Sequence, residues 1–222
     1  MSEFLQYLAA NNREDERIPP LAELSQKLGV SIAILREQLE VARALGLVEV
    51  KPKIGIHRLP YTFKPAVKQS LTYAVQTNQA YFSLYADLRN HIEEAYWLDA
   101  VVLLNHQDFD LLRSFICRAQ EKLRGHPIQI PHVEHREFHL SIYRRLNNPF
   151  VLGLLETYWE LYEAVGLDVY TDFSYLQNVW MYHEKMVDAI CTGDFSAGFH
   201  ALTDHMKLLQ ERSHQTPNQK FE

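Results

Sequence analysis

Two hydrophobic rhythms divide the chain near residue 62. Up to that point short helical stripes give way to alternating segments, and beyond it a helical spacing runs almost unbroken. In "PPLAELSQKLGVS" the residues Leu21, Leu24 and Leu28 recur at helical spacing, and Gly29 suits the stop. Ser31 is an N-cap for a second helix, "IAILREQLEVARALG". Its buried stripe is Ile34 or Leu35, then Leu39, Ala42 and Leu45, with Gly46 as its end. "LVEVKPKIGIHRLP" then alternates as a strand, turns around Pro52–Gly55 and alternates again. Helix, sharp turn, helix and two-stranded ribbon outline a winged helix-turn-helix.

Pro60 and Pro65 bracket a linker, after which the pattern predicts helices near 66–77, 79–104, 107–124, 132–146, 149–165, 173–191 and 195–211. "HPIQIP", "NNP", "YTD" and "TGD" supply the breaks between the later ones. The expected fold class is mainly α. A winged helix-turn-helix over 1–62 precedes an all-helical antiparallel bundle over 66–212, and 213–222 form a frayed tail.

Composition narrows the class. With 222 residues and 47% hydrophobic content, the chain can bury a real core. The first sixty residues balance acids against bases, so the formal net charge of −6 arises beyond them. Nucleic-acid binding must therefore work through a local positive patch and not through bulk charge. Two cysteines, Cys117 and Cys191, have no motif spacing and read as reduced thiols of a cytosolic, and so cytoplasmic, protein. Neither a signal peptide nor a membrane span is expected.

The chemistry lies in the histidines. In "HVEHREFHLS" His135 and His139 are one helical turn apart and continue through Ile142 and Leu146, along the apolar stripe. His183 is in line with Val179, Met186 and Ile190, and His205 with Leu202 and Leu209. The last two helices turn at Gly193. At about 1.5 Å of rise per residue, His183 and His205 stand within roughly 3 Å of the same height in an antiparallel pair. Four imidazoles thus point toward one bundle core. They are either four hydrogen-bonded core histidines or a shared metal site, which would satisfy one nitrogen of each.

Both halves resemble one family, the GntR-type transcription regulators of the FadR subfamily with a C-terminal FCD effector-binding domain. The resemblance covers roughly residues 17–210. It rests on "IPPLAELSQKLGVSIAILREQLEVARALGLVEVKPKIG" for the head and on "DLRNHIE", "HREFHLSIYRRLNN" and "HEKMVDAICTGDFSAGFHALTDH" for the bundle. It implies a metal site of one Asp and three His, matched here by His139, His183 and His205, with His135 at the Asp position. Four imidazoles suit Ni²⁺ or Zn²⁺. In the head the family's arginines are replaced at Ala22 and Ile32, and Arg36 remains. The DNA-contact candidates are Ser31, Arg36, Lys51, Lys53, Gly55 and His57. For Arg36 the alternative is a solvated charge paired with Glu40.

The expected function is a DNA-binding transcription regulator, not an enzyme, acting as a homodimer on a palindromic operator in double-stranded DNA. Its bundle holds a divalent metal whose open positions take a small carboxylate effector, with Arg89 as second anchor. For Arg89 the alternative is a helix salt bridge with Glu93 or Asp87. The competing functions are a metal-dependent hydrolase and a regulator-like protein with weak or lost DNA binding. Against the hydrolase, the histidine stripes carry no carboxylate to act as general base.

Overall fold

A computed structural model describes residues 1–11, 17–165 and 173–213, with the side chains of Val165 and of 209–213 left aside. The "YTD" break, the Leu209 side chain and the tail from 214 on lie outside the described residues. The chain divides into two compact units, Met1–Gln79 and Ala80–Glu222.

The first unit opens with α1 (Glu3–Ala10), β1 (Arg17–Ile18), α2 (Leu21–Leu28) and α3 (Ile32–Ala44). It continues with β2 (Val48–Lys51), β3 (Gly55–Arg58) and α4 (Lys64–Thr77). The sharp turn between α2 and α3 has the expected chemistry. Gly29 ends α2 at φ 67°, and Ser31 Oγ accepts from the Ile34 amide at 3.3 Å to start α3. Leu35, Leu39 and Ala42 are the buried stripe of α3, whereas Ile34 faces outward.

Two elements go beyond the sequence expectation. Ser2 caps α1, whose Phe4 and Leu8 are buried. Gln38 of α3 ties it down, accepting from the Phe4 amide at 2.9 Å and donating to Glu3 at 2.6 Å. The ribbon also gains a third strand, in order β1-β3-β2, with Arg17 opposite His57 and Ile18 opposite Ile56. A two-residue strand is too short to carry an alternation, so only its pairing reveals it.

The second unit is a helical bundle: α5 (Ala80–Val101), α6 (His106–Arg124), α7 (His132–Tyr143), α8 (Pro149–Val165), α9 (Phe173–Thr192) and α10 (Phe195–Ser213). The helix expected over 132–146 tightens into a 3₁₀ turn at Arg144–Leu146 and stops at Asn147, φ 50°. α7 is the central element; His135, Phe138, His139, Ile142 and Tyr143 are all buried. α9 and α10 form a hairpin through Gly193, φ 77°. α5 crosses α10 closely, because Trp97 Nε1 donates to the Phe195 carbonyl at 2.9 Å over Gly198. Among the described residues no helix is long and apolar enough to cross a membrane.

A Cβ at Gly198 would meet Trp97 Cζ2 at 2.7 Å. Gly198→Ala should therefore push α10 from α5 and cost about 1–3 kcal/mol of stability. The urea midpoint of the full chain measures this, and an unchanged midpoint would mean that the crossing is loose.

Candidate metal centre and DNA-reading surface

The bundle brings His135 and His139 of α7, His183 of α9 and His205 of α10 to one point. One ligand nitrogen from each lies within 4.8 Å of all the others, and all four side chains are buried. His183 and His205 face each other across the hairpin, ring centroids 4.5 Å apart. His139 Nε2 and His183 Nε2 are 3.1 Å apart. Two imidazole nitrogens on one divalent ion, each about 2.0–2.1 Å from it, are separated by about 3.0–3.4 Å, so this pair already has that spacing. Nitrogens of the other two lack partners altogether: His135 Nε2 and both nitrogens of His205. Each unmet buried polar atom costs on the order of 1–3 kcal/mol, which a shared cation would relieve. The donor set therefore fits a divalent metal.

Behind the cluster stands a carboxylate that the histidine stripes did not disclose. Glu93, fully buried on α5, places Oε2 3.0 Å from His139 Nδ1 and Oε1 2.9 Å from Arg89 Nη2. Arg89 Nη2 is also 2.9 Å from His139 Nδ1. Two arrangements satisfy this triangle. In one, His139 donates from Nδ1 to Glu93 and keeps its Nε2 lone pair for the cluster. In the other, Arg89 donates to Nδ1 and the proton moves to Nε2. Metal binding selects the first, since a ligand nitrogen must be bare; a carboxylate behind a ligating histidine also raises its basicity. The histidine stripes themselves carry no carboxylate, and the site acquires one from α5. Glu93 comes from a different helix, so no stripe containing a histidine could reveal it.

Arg89 is itself a buried side chain. It pairs with Glu93, donates to Asn90 Oδ1 at 3.1 Å, and lies over the rings of Tyr158 and Trp159 at 5.0 and 5.1 Å. Of the two alternatives left open for it, the Glu93 ion pair is present. Its Nε–H is buried and unmet. Trp159, Phe138 and Trp180 close around the imidazoles, with ring centroids 4.6 to 4.8 Å from His135 or His183. The cavity that adjoins His135 measures about 10 Å³, between Ile130, His132, Tyr162 and Trp180. That is room for about one water molecule.

Burial is the leading cause that holds all four imidazoles well below their usual pKa, reinforced by their mutual repulsion and by Arg89. Burial raises Glu93 to about 7, against the opposing pull of Arg89 and His205.

In the first unit, Ser31 acts as the cap of α3 and Arg36 is exposed. Glu40, the partner considered for Arg36, pairs instead with Arg43 at 2.8 Å, and among the described residues Arg36 has no partner. Lys51 pairs with Glu49 at 2.6 Å. Lys53 and Gly55 form the wing turn, with φ 65° and 109°. His57 sits in the middle strand, half-buried, with Nε2 buried and unmet. Arg17, which no motif marked, lies beside the wing. A Cβ at Gly55 would meet its Nε at 3.3 Å. Its neighbour on β3 was invisible without the third strand.

Unfolding the metal-free protein should take up protons in mild acid. Exposed histidines protonate below about pH 6.5, while the folded, depressed ones do not; their stabilising contribution is complete above that value and is lost as pH falls. Glu93 acts oppositely. It holds its proton up to about 7 when folded, whereas an exposed carboxyl releases at 4.5, so it gains as pH falls through that interval. Four histidines outweigh one carboxyl, so the net effect is a loss of stability as pH falls from about 7.5 to about 5.5. Urea titrations of chelator-treated protein at pH 7.5, 6.5 and 5.5 should show the loss; constant stability would mean that the imidazoles are not neutral and buried together.

Comparison with known proteins reaches the same region. Residues 85–208 match the FCD domain family. The Uxu operon transcriptional regulator of Escherichia coli K12 is 23% identical over 202 residues, covering 89% of this chain and 78% of its own. Among solved structures, the Streptococcus agalactiae GntR superposes with a TM-score of 0.60 at 15% identity, over 95% of this chain and 96% of its own. The Listeria monocytogenes protein Lar gives 0.54 at 12% identity, over 97% and 95%. Escherichia coli McbR/YncC gives 0.50 at 21%, over 97% and 99%. These similarities carry the fold.

Proposed function

The chain belongs to the GntR-type transcription regulators with an FCD domain, and on that premise we propose that it is a metal-dependent, DNA-binding regulator and not an enzyme. One observation carries the metal reading: four buried imidazole nitrogens within 4.8 Å of one another, several of them without any other partner. His135, His139, His183 and His205 hold one divalent ion, Ni²⁺ or Zn²⁺. When bound, the ion supplies a positive centre that attracts an anion. Glu93 fixes the His139 tautomer and offsets part of the ion's charge, and Arg89 holds Glu93 in place.

The effector is a small carboxylate that takes an open position of the metal. The Nε–H of Arg89, buried and unmet, is the donor that fits this role for Arg89. Residues 66–212 carry this site and dimerise. The outward face of α5 fits the second task, since Leu84, Leu88 and Leu98 are exposed along it at helical spacing. Residues 1–62 read a palindromic operator, with α3 in the major groove and Lys51, Lys53 and Gly55 of the wing near the backbone. The hydrolase reading is disfavoured by one feature of the described site: Glu93 is turned to His139 and Arg89 rather than to an open position.

Protein dialysed against Ni²⁺ or Zn²⁺ at pH 7.5 should keep one ion per chain, and His183→Ala should lose it. Metal analysis alongside native mass spectrometry checks both, together with a dimer mass. Wild-type protein that retains no metal would make these core histidines.

Arg36→Ala should weaken binding to the preferred operator by about 1–3 kcal/mol if Arg36 meets a base edge. A similar loss on every duplex would assign it to phosphate, and no loss on any would remove it from the interface.

A further inference from the structure

The turn that opens α3 is apolar where it is most exposed. Ser31 is occupied as the cap, and Ile32, Ala33 and Ile34 follow, all outward; Ile32 is 39% exposed. Residues on a helix advance by about 100°, so Arg36 stands one turn above Ile32, and Ala33 lies on the adjoining flank. Ile34 points elsewhere, on the side of Val41. Leu35, Leu39 and Ala42 are the buried face, so Ile32 is not needed for the core. The first turn carries no acid, so the positive end of the helix is not neutralised locally. The only cation beside this surface on α3 without a described partner is Arg36, since Arg43 is held by Glu40.

We infer that this head reads its operator largely by apolar contact, with Ile32 and Ala33 against the C5-methyl groups of thymines and Arg36 supplying the polar contact of the helix. The inference rests on the DNA-binding reading above. Of the groups that bases present in the major groove, the thymine methyl alone is apolar. Ile32 and Ala33 have no side-chain donor or acceptor. Against the amino group of cytosine or the O6 and N7 of guanine, they would strip water and return no hydrogen bond. Against a thymine methyl they lose nothing and bury carbon on carbon. Under this turn each half-site should therefore carry A·T pairs whose thymines face the helix. The uncompensated helix N-terminus favours the nearby phosphates and keeps the turn pressed to the groove.

The test removes only the methyl. The full-length, metal-supplied protein selects duplexes from a random pool, and the preferred duplex is remade with uracil in place of each half-site thymine in turn. Uracil keeps the pairing and lacks the C5 carbon. At one or two positions per half-site, affinity should fall about fourfold, the loss expected for one buried methyl. Ile32→Ala should reduce that discrimination toward unity at one of them, while Arg36→Ala leaves it. Ile32 is exposed, so this variant keeps its fold. A selected duplex indifferent to uracil at every position overturns the inference and leaves the DNA-binding reading intact. If Ile32→Ala keeps the full discrimination, Ile32 is not the reader, and its exposed face belongs to another partner. If no duplex is enriched, the DNA-binding reading fails and takes this inference with it.

Discussion

Burying four imidazoles at one point is the constraint on which the bundle depends. They come from three helices, and each must be dry, neutral and oriented for their nitrogens to converge within 4.8 Å. Left alone, such a cluster is costly, because its polar atoms have lost water and mostly face one another. The packing around it is correspondingly heavy: Trp159, Trp180 and Phe138 exclude water, α7 is buried along most of its length, and Gly198 lets α10 come close to Trp97. A bound cation would turn the same arrangement from a liability into a bond between α7, α9 and α10.

The second requirement is charge. Four neutral imidazoles would leave a bound divalent ion without a counter-charge in its own shell. Glu93 stands one step further out, at His139 Nδ1, where it would restore part of it. Its burial would otherwise favour the protonated acid, and Arg89 opposes this through the ion pair at 2.9 Å. Arg89, Glu93 and His139 therefore act as a unit. The Arg89 charge bears on the protonation of both Glu93 and His139.

The head balances its charges differently. Few cations stand on α3 free of local partners, and the reading turn is apolar. On the proposed reading, affinity for a polyanion would rest on the wing lysines, Arg36, the helix N-terminus and the doubling of contacts in a dimer. Arg17 adds a further cation beside Gly55, supplied by a strand that only pairing defines.

Much was legible in one dimension. Helical periodicity placed every bundle helix to within a few residues, because each has one apolar face and its breaks are marked by proline, glycine and asparagine. The same periodicity put the four histidines on buried stripes, and the Gly193 turn put two of them at one height. What the sequence left open needed contacts between elements. Whether Leu35 or Ile34 was buried depended on where α1 and the sheet lay. The strand at Arg17–Ile18 exists only through β3. Glu93 and Arg89 read equally well as a surface i,i+4 pair, since spacing along one helix carries no information about which neighbour covers it. Local pattern determined which residues turn inward. Only the packing of α5 against α7 decided that a carboxylate and a guanidinium would be buried behind a histidine, because proximity across helices is a property of the fold and not of the stripe.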